Sequence, residues 1–146
     1  MNWVELTKEA ISNILEKMFY TIIEFESSGD SSDWENAKKI TSHIKLSGKE
    51  GSVIIIITIS EPSAFQLAAD FTGVVVEKVK MADVEDCLKE LANMVGGYCI
   101  NVVKGQYSLG LPEIGYPPEV DVPDKCASFP MFVLGEKWGE VAICTL

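Results

Sequence analysis

Apolar residues recur at helical spacing in some stretches of the chain and alternate at strand spacing in others. Over residues 5–23, Leu6, Ala10, Ile11, Ile14, Leu15, Met18, Phe19, Ile22 and Ile23 form one stripe of an amphipathic helix, capped at Thr7 or a turn earlier at Asn2. Residues 25–36 are polar, short-sided and acidic and read as a loop that Trp34 pins to the body. Residues 39–46 then alternate, with Ile40, Ser42, Ile44 and Leu46 on one side and Thr41, His43 and Lys45 on the other. The GKEG turn at 48–51 and the β-branched run at 52–59 complete a hairpin pattern. Val53 to Ile57 is apolar on both faces, which predicts a central strand covered by helices.

Beyond Ser60, a cap candidate, Pro62 suits a first helical turn, and Ala64, Phe65, Leu67, Ala68 and Phe71 extend a helix that Gly73 stops. Residues 74–79 read as short and extended, 84–105 as one long helix, 105–112 as extended again and 115–124 as a proline-rich loop. Residues 127–134 and 140–146 flank GEKWG and predict a second hairpin. The sum is an α+β domain over residues 1–146, a single layer of helices packed on one largely antiparallel sheet, with no repeat or linker.

The long helix carries opposite side chains on opposite faces. Val84, Leu88, Leu91 and Val95 gather on the side that needs a core, while Asp86, Glu90, Asn93 and Gly97 line the other. Two acids, a carboxamide and a bare backbone position in one row make the best candidate site; an ordinary solvated face is the plainer alternative. Gly96 and Gly97 each cost a helix about 1 kcal/mol relative to Ala, a penalty that suits either close packing or room for a visitor. Glu9, Asn13 and Glu16 in the first helix are a second polar set, more simply read as solvated surface.

Composition narrows the chemistry. With 22 acids against 12 basic residues, all lysines, the net charge is −10, which argues against nucleic acid as a ligand. Without arginine, no phosphate is clamped bidentately by this chain. The start has no basic, long-apolar leader and no apolar run reaches membrane-spanning length, so a cytoplasmic protein is expected. Cys87, Cys99, Cys126 and Cys144 are expected to be reduced, buried thiols. Phosphate loops, dinucleotide fingerprints, metalloprotease pairs and nucleophile elbows are absent, and His43, expected at the surface, has no nucleophile system beside it in sequence. Asp30 and Asp33 do not place oxygen ligands at calcium-loop positions. Any catalysis must come from carboxylates and amides.

Asp86-x-x-x-Glu90-x-x-Asn93, continuing as Met94-Val95-x-Gly97, resembles the signature helix of the CheX/CheC family of chemotaxis phosphatases, which dephosphorylate the response regulator CheY. The flanking order of elements and the SLGLP strand agree with a CheX-like, single-site member over nearly the whole chain. The resemblance implies acyl-phosphate hydrolysis on a phosphorylated CheY-like receiver domain. It matches Asn93 to the amide that orients the attacking water, Glu90 to the acid that pairs with the receiver's active-site lysine, and Asp86 to an outer supporting contact. It also implies that Mg²⁺ sits on the receiver, that this chain holds no cofactor or metal, and that the protein forms a homodimer. The family usually has Asn after the signature Gly, where this chain has Tyr98. Glu9-x-x-Ser12 and Glu16-x-x-Phe19 do not supply the second motif of a two-site CheC-like protein. A non-catalytic module that recognises a receiver through the same face remains the alternative.

Overall fold

The alternation over residues 39–59 becomes a hairpin in the computed structural model, which describes residues 1–26, 33–118, 120 and 126–146. Strand β1 (Lys39–Gly48) pairs antiparallel with β2 (Gly51–Ser60), closing at Gly48 opposite Gly51. Strands β3 (Tyr107–Leu109) and β4 (Glu113–Ile114) both pair with β1, and β5 (Cys126–Val133) pairs with β6 (Glu136–Thr145). The sheet order is β3-β1-β2-β6-β5, with β4 beside β3 on the β1 edge. Pro130 lacks an amide hydrogen and lies in β5, at the outer edge, where a missing donor is tolerated.

Three helices cover one face: α1 (Trp3–Phe19), α2 (Glu61–Thr72) and α3 (Met81–Val103). Asn2, the earlier of the two cap candidates, caps α1 by accepting from the Glu5 amide at 3.1 Å, and Thr7 is buried within the helix. The helix stops at Phe19 because Tyr20 turns left-handed (φ 55°), so Ile22 falls outside the stripe and is exposed. Gly73 ends α2 in the same conformation at φ 75°, which glycine adopts freely.

β2 is central, as its two apolar faces require. Val53, Ile55, Ile57 and Ile59 face the helices and join the main core. Ile54 and Ile56 face the other way, and there the cover departs from expectation. No described helix lies on that side; Cys144, Val120, Cys126 and Ala142 close a small second cluster instead. Parts of the loops at 25–36 and 115–124, including Asp30, fall outside the described residues, whereas Trp34 is buried as expected, with the ammonium groups of Lys39 and Lys137 over its ring.

Four further expectations are corrected. Residues 74–79 are not extended but include a 3₁₀ turn, Val76–Lys78. The second hairpin turns at Leu134–Gly135, both at positive φ, so Glu136 to Gly139 belong to β6 rather than to the turn. Cys126 and Cys144 are directly opposed across β5 and β6, with Cα atoms 4.2 Å apart, and form a disulfide instead of two thiols; Cys87 and Cys99 are free and buried as expected. His43 is buried beneath the 113–115 segment, with Nδ1 2.7 Å from the Gly115 carbonyl oxygen and Nε2 3.3 Å from the Glu113 carboxylate. Pairing of β4 over Ser42 and His43 covers a residue whose strand face looked solvent-facing.

Candidate functional site

α3 runs between α1 and α2 on the sheet, and its orientation follows from burial. Val84, Leu88, Leu91 and Val95 have no exposed surface. Each such side chain contributes about 1.5–3 kcal/mol on burial, which outweighs the cost of about 1 kcal/mol for each glycine in the helix. Rotating α3 by a quarter turn would surrender that contact. The opposite row is therefore held facing out: Asp86 and Glu90 are exposed, and Asn93 and Gly97 are half-buried.

The two adjacent glycines have different tasks. A Cβ on Gly96 would lie 2.8 Å from Leu109 Cδ1 and 3.2 Å from Ile44 Cγ2, so Gly96 lets α3 approach β1 and β3. A Cβ on Gly97 would meet nothing within 4 Å, so the backbone there opens onto unfilled space beside Asn93. Close packing, one of the two sequence expectations for the pair, is found at Gly96, while Gly97 faces open space.

Asp86 also has a neighbour on its own helix, the Lys89 ammonium at 3.6 Å. This is an exposed pair one turn apart, of small energetic weight. Tyr98, one residue past Gly97, donates its hydroxyl to Glu9 Oε1 at 3.1 Å and ties α3 to α1. That bond to Glu9 raises the Tyr98 pKa above its ordinary value, with desolvation second. Glu9 thus has a partner in α3, while Asn13 and Glu16 remain on the surface of α1.

Between α2 and α3 lies a groove of about 290 Å³ that sequence reading did not anticipate, lined by Phe71, Thr72, Asp83, Asp86, Cys87 and Glu90. Two of its residues belong to the polar row. Burial pushes the Cys87 thiol up to about 12, with the Glu90 charge a second cause, so it is no nucleophile. The available sequence signal was Phe71, an aromatic at the last turn of a helix just before its glycine stop. Among the described residues, no cluster of three or more His, Cys, Asp or Glu is arranged to hold a metal ion, and no helix is long and apolar enough to cross a membrane.

No protein-family model matches this chain, and no curated protein sequence does. Solved structures do. The chemotaxis protein CheX from Vibrio vulnificus superposes with a TM-score of 0.77 at 14% identity, over 100% of this chain and 97% of that one. A CheC-like superfamily protein from Shewanella sp. PV-4 gives 0.75 at 16%, over 100% and 99%. The CheX–CheY–BeF3–Mg²⁺ complex from Borrelia burgdorferi gives 0.70 at 19%, over 99% and 97%. The fold is that of the CheX and CheC-like proteins, in agreement with the fold expected from the signature helix. At such identities the likeness establishes architecture alone.

Proposed function

We propose that this protein is a phosphatase for the aspartyl phosphate of a CheY-like receiver domain, with Asn93 and Glu90 as its working residues. The observation that carries the reading is the outward row Glu90, Asn93 and Gly97 on a helix locked by its buried face, with open space above the Gly97 backbone. An aspartyl phosphate is reactive already, so a partner protein accelerates hydrolysis by holding water in line. The Asn93 amide both accepts and donates hydrogen bonds and orients that water without a tuned pKa. Water oxygen bonds to phosphorus as the bond from phosphorus to the aspartyl oxygen breaks. The carboxylate leaves with the electron pair, and the water's proton ends on inorganic phosphate. Glu90 pairs with the receiver's active-site lysine, which fixes register and offsets repulsion between an acidic protein and a phosphorylated carboxylate. Mg²⁺ belongs to the receiver in this scheme, and Asp86 supports the contact from the outer end of the row. The fold shared with CheX, one member of which is solved in complex with CheY, supports the choice of partner.

The test is the decay of a phosphorylated CheY-like receiver with and without this protein. Acceleration is expected, and Asn93→Ala is expected to reduce it by about 100-fold, the scale of a misplaced reactant. An unchanged rate in Asn93→Ala would reject the mechanism. Tyr98 favours a second reading, a non-catalytic receiver-binding module, because its hydroxyl is engaged with Glu9 where the resemblance places an Asn. Association with no change in phosphate lifetime would select it.

A further inference from the structure

We infer that the α2/α3 groove is a second docking point for the receiver, taking one apolar side chain flanked by lysine or arginine from the receiver face that meets Glu90. This inference rests on the receiver reading above and adds a specificity surface to it. The groove has an apolar floor and an acidic rim. Phe71 is 38% exposed, yet its ring stacks on the fully buried Phe19 at 4.8 Å between centroids, so its exposed face is held in place. Asp83, Asp86 and Glu90 supply the rim, and among its lining residues there is no cation. Lys89, the neighbouring ammonium, is drawn to Asp86 on the same helix.

Size and position choose the occupant. At about 290 Å³ the groove sits at or below the small end of small-molecule sites, which run from about 300 to 1,000 Å³. It suits a protruding side chain rather than a cofactor. Asp86 and Glu90 line both this groove and the catalytic row, so a receiver seated on Glu90 and Asn93 necessarily covers its mouth. A partner with a bare apolar knob would leave Glu90 without a counter-charge, since Asp83 accepts from the Lys80 amide at 3.0 Å and Asp86 lies 3.6 Å from the Lys89 ammonium, whereas basic residues beside the knob match the acidic rim. The contact therefore selects among receivers through charge as well as shape, while Asn93 performs the same chemistry on each.

Thr72→Lys tests this without touching the catalytic row. Thr72 is exposed, and its hydroxyl donates to the Ala68 carbonyl of its own helix, at 2.7 Å. A lysine in the last turn of α2 suits the helix dipole, so the fold should survive. Binding of a CheY-like receiver loaded with beryllium fluoride and Mg²⁺ is measured by titration, alongside hydrolysis of the phosphorylated receiver. The lysine is expected to weaken binding and raise KM by at least about 10-fold, since like charges across an interface are strongly unfavourable, with kcat unchanged. The control Gln106→Lys, exposed in the loop after α3, is expected to change neither. Unchanged binding in Thr72→Lys overturns the groove assignment even when wild-type protein accelerates hydrolysis. Weakened binding without any wild-type acceleration supports the groove and rejects the phosphatase reading. No receiver binding by the wild-type protein rejects both.

Discussion

Replacing Gly97 by Ala should make the protein more stable and less active, whereas the same change at Gly96 should make it less stable. An alanine in a helix interior is favoured over glycine by about 1 kcal/mol. At Gly97 the added methyl meets nothing within 4 Å, so the whole gain is realised. For a domain of this size, that corresponds to a rise of about 3 °C in Tm. At Gly96 the same gain opposes a collision. Leu109 is 40% exposed and its Cδ1 can swing away from the 2.8 Å approach. Ile44 has no exposed surface, and its methyls at 3.2 and 3.3 Å have no such freedom. Overpacking of this kind costs about 1–3 kcal/mol, which leaves Gly96→Ala destabilised by about 1 kcal/mol. Urea and thermal unfolding followed by circular dichroism give the stabilities, and receiver dephosphorylation gives the activity. The Gly97 methyl would occupy the space beside Asn93, so the rate should fall while Tm rises. A Gly97→Ala protein that is stabilised and fully active would show that no partner approaches that backbone. Equal stabilities of the two variants would refute the packing assigned to Gly96.

Tyr98 should titrate above its ordinary value near 10, because its neutral hydroxyl donates to Glu9; ultraviolet titration should show it shift back in Glu9→Gln, and an unmoved curve would discount that bond. The same sign governs pH and stability. Cys87 and Tyr98 both have raised folded values, so their neutral forms stabilise the fold below the ordinary thiol value of 9.0, and this is lost as pH climbs through about 12 for Cys87. Reducing the Cys126–Cys144 bond, which spans 18 positions, should cost about 3 kcal/mol of stability, read as a lower urea midpoint with reductant. In the native protein the Cys87 and Cys99 thiols, held up at about 12 and about 11 by burial, should resist a thiol reagent until urea is added; fast native labelling would contradict their burial.

What the sequence determined by itself was the periodic part of the protein: the main helices and strands, the apolar faces of the helices and of β2, and the placement of Asp86, Glu90, Asn93 and Gly97 along one helix face. Periodicity records the partition of one element's faces between core and water, and it needs no knowledge of neighbours. That is why the hairpin, the central position of β2 and the outward face of α3 were legible. Everything that depends on which elements lie side by side came only with the tertiary structure. Gly96 and Gly97 are indistinguishable in a string of letters, and Ile44 and Leu109 separate them. His43 is buried because β4 pairs with β1 there and brings Glu113 and Gly115 against its ring. Cys126 and Cys144 bond because the register of two strands opposes them. Tyr98 and Glu9 meet across 89 positions, and Phe71 reaches the acids of α3 only once α2 packs beside it. Long-range packing decides such pairings, and with them it decides whether a polar row on one helix is a surface or half of a site.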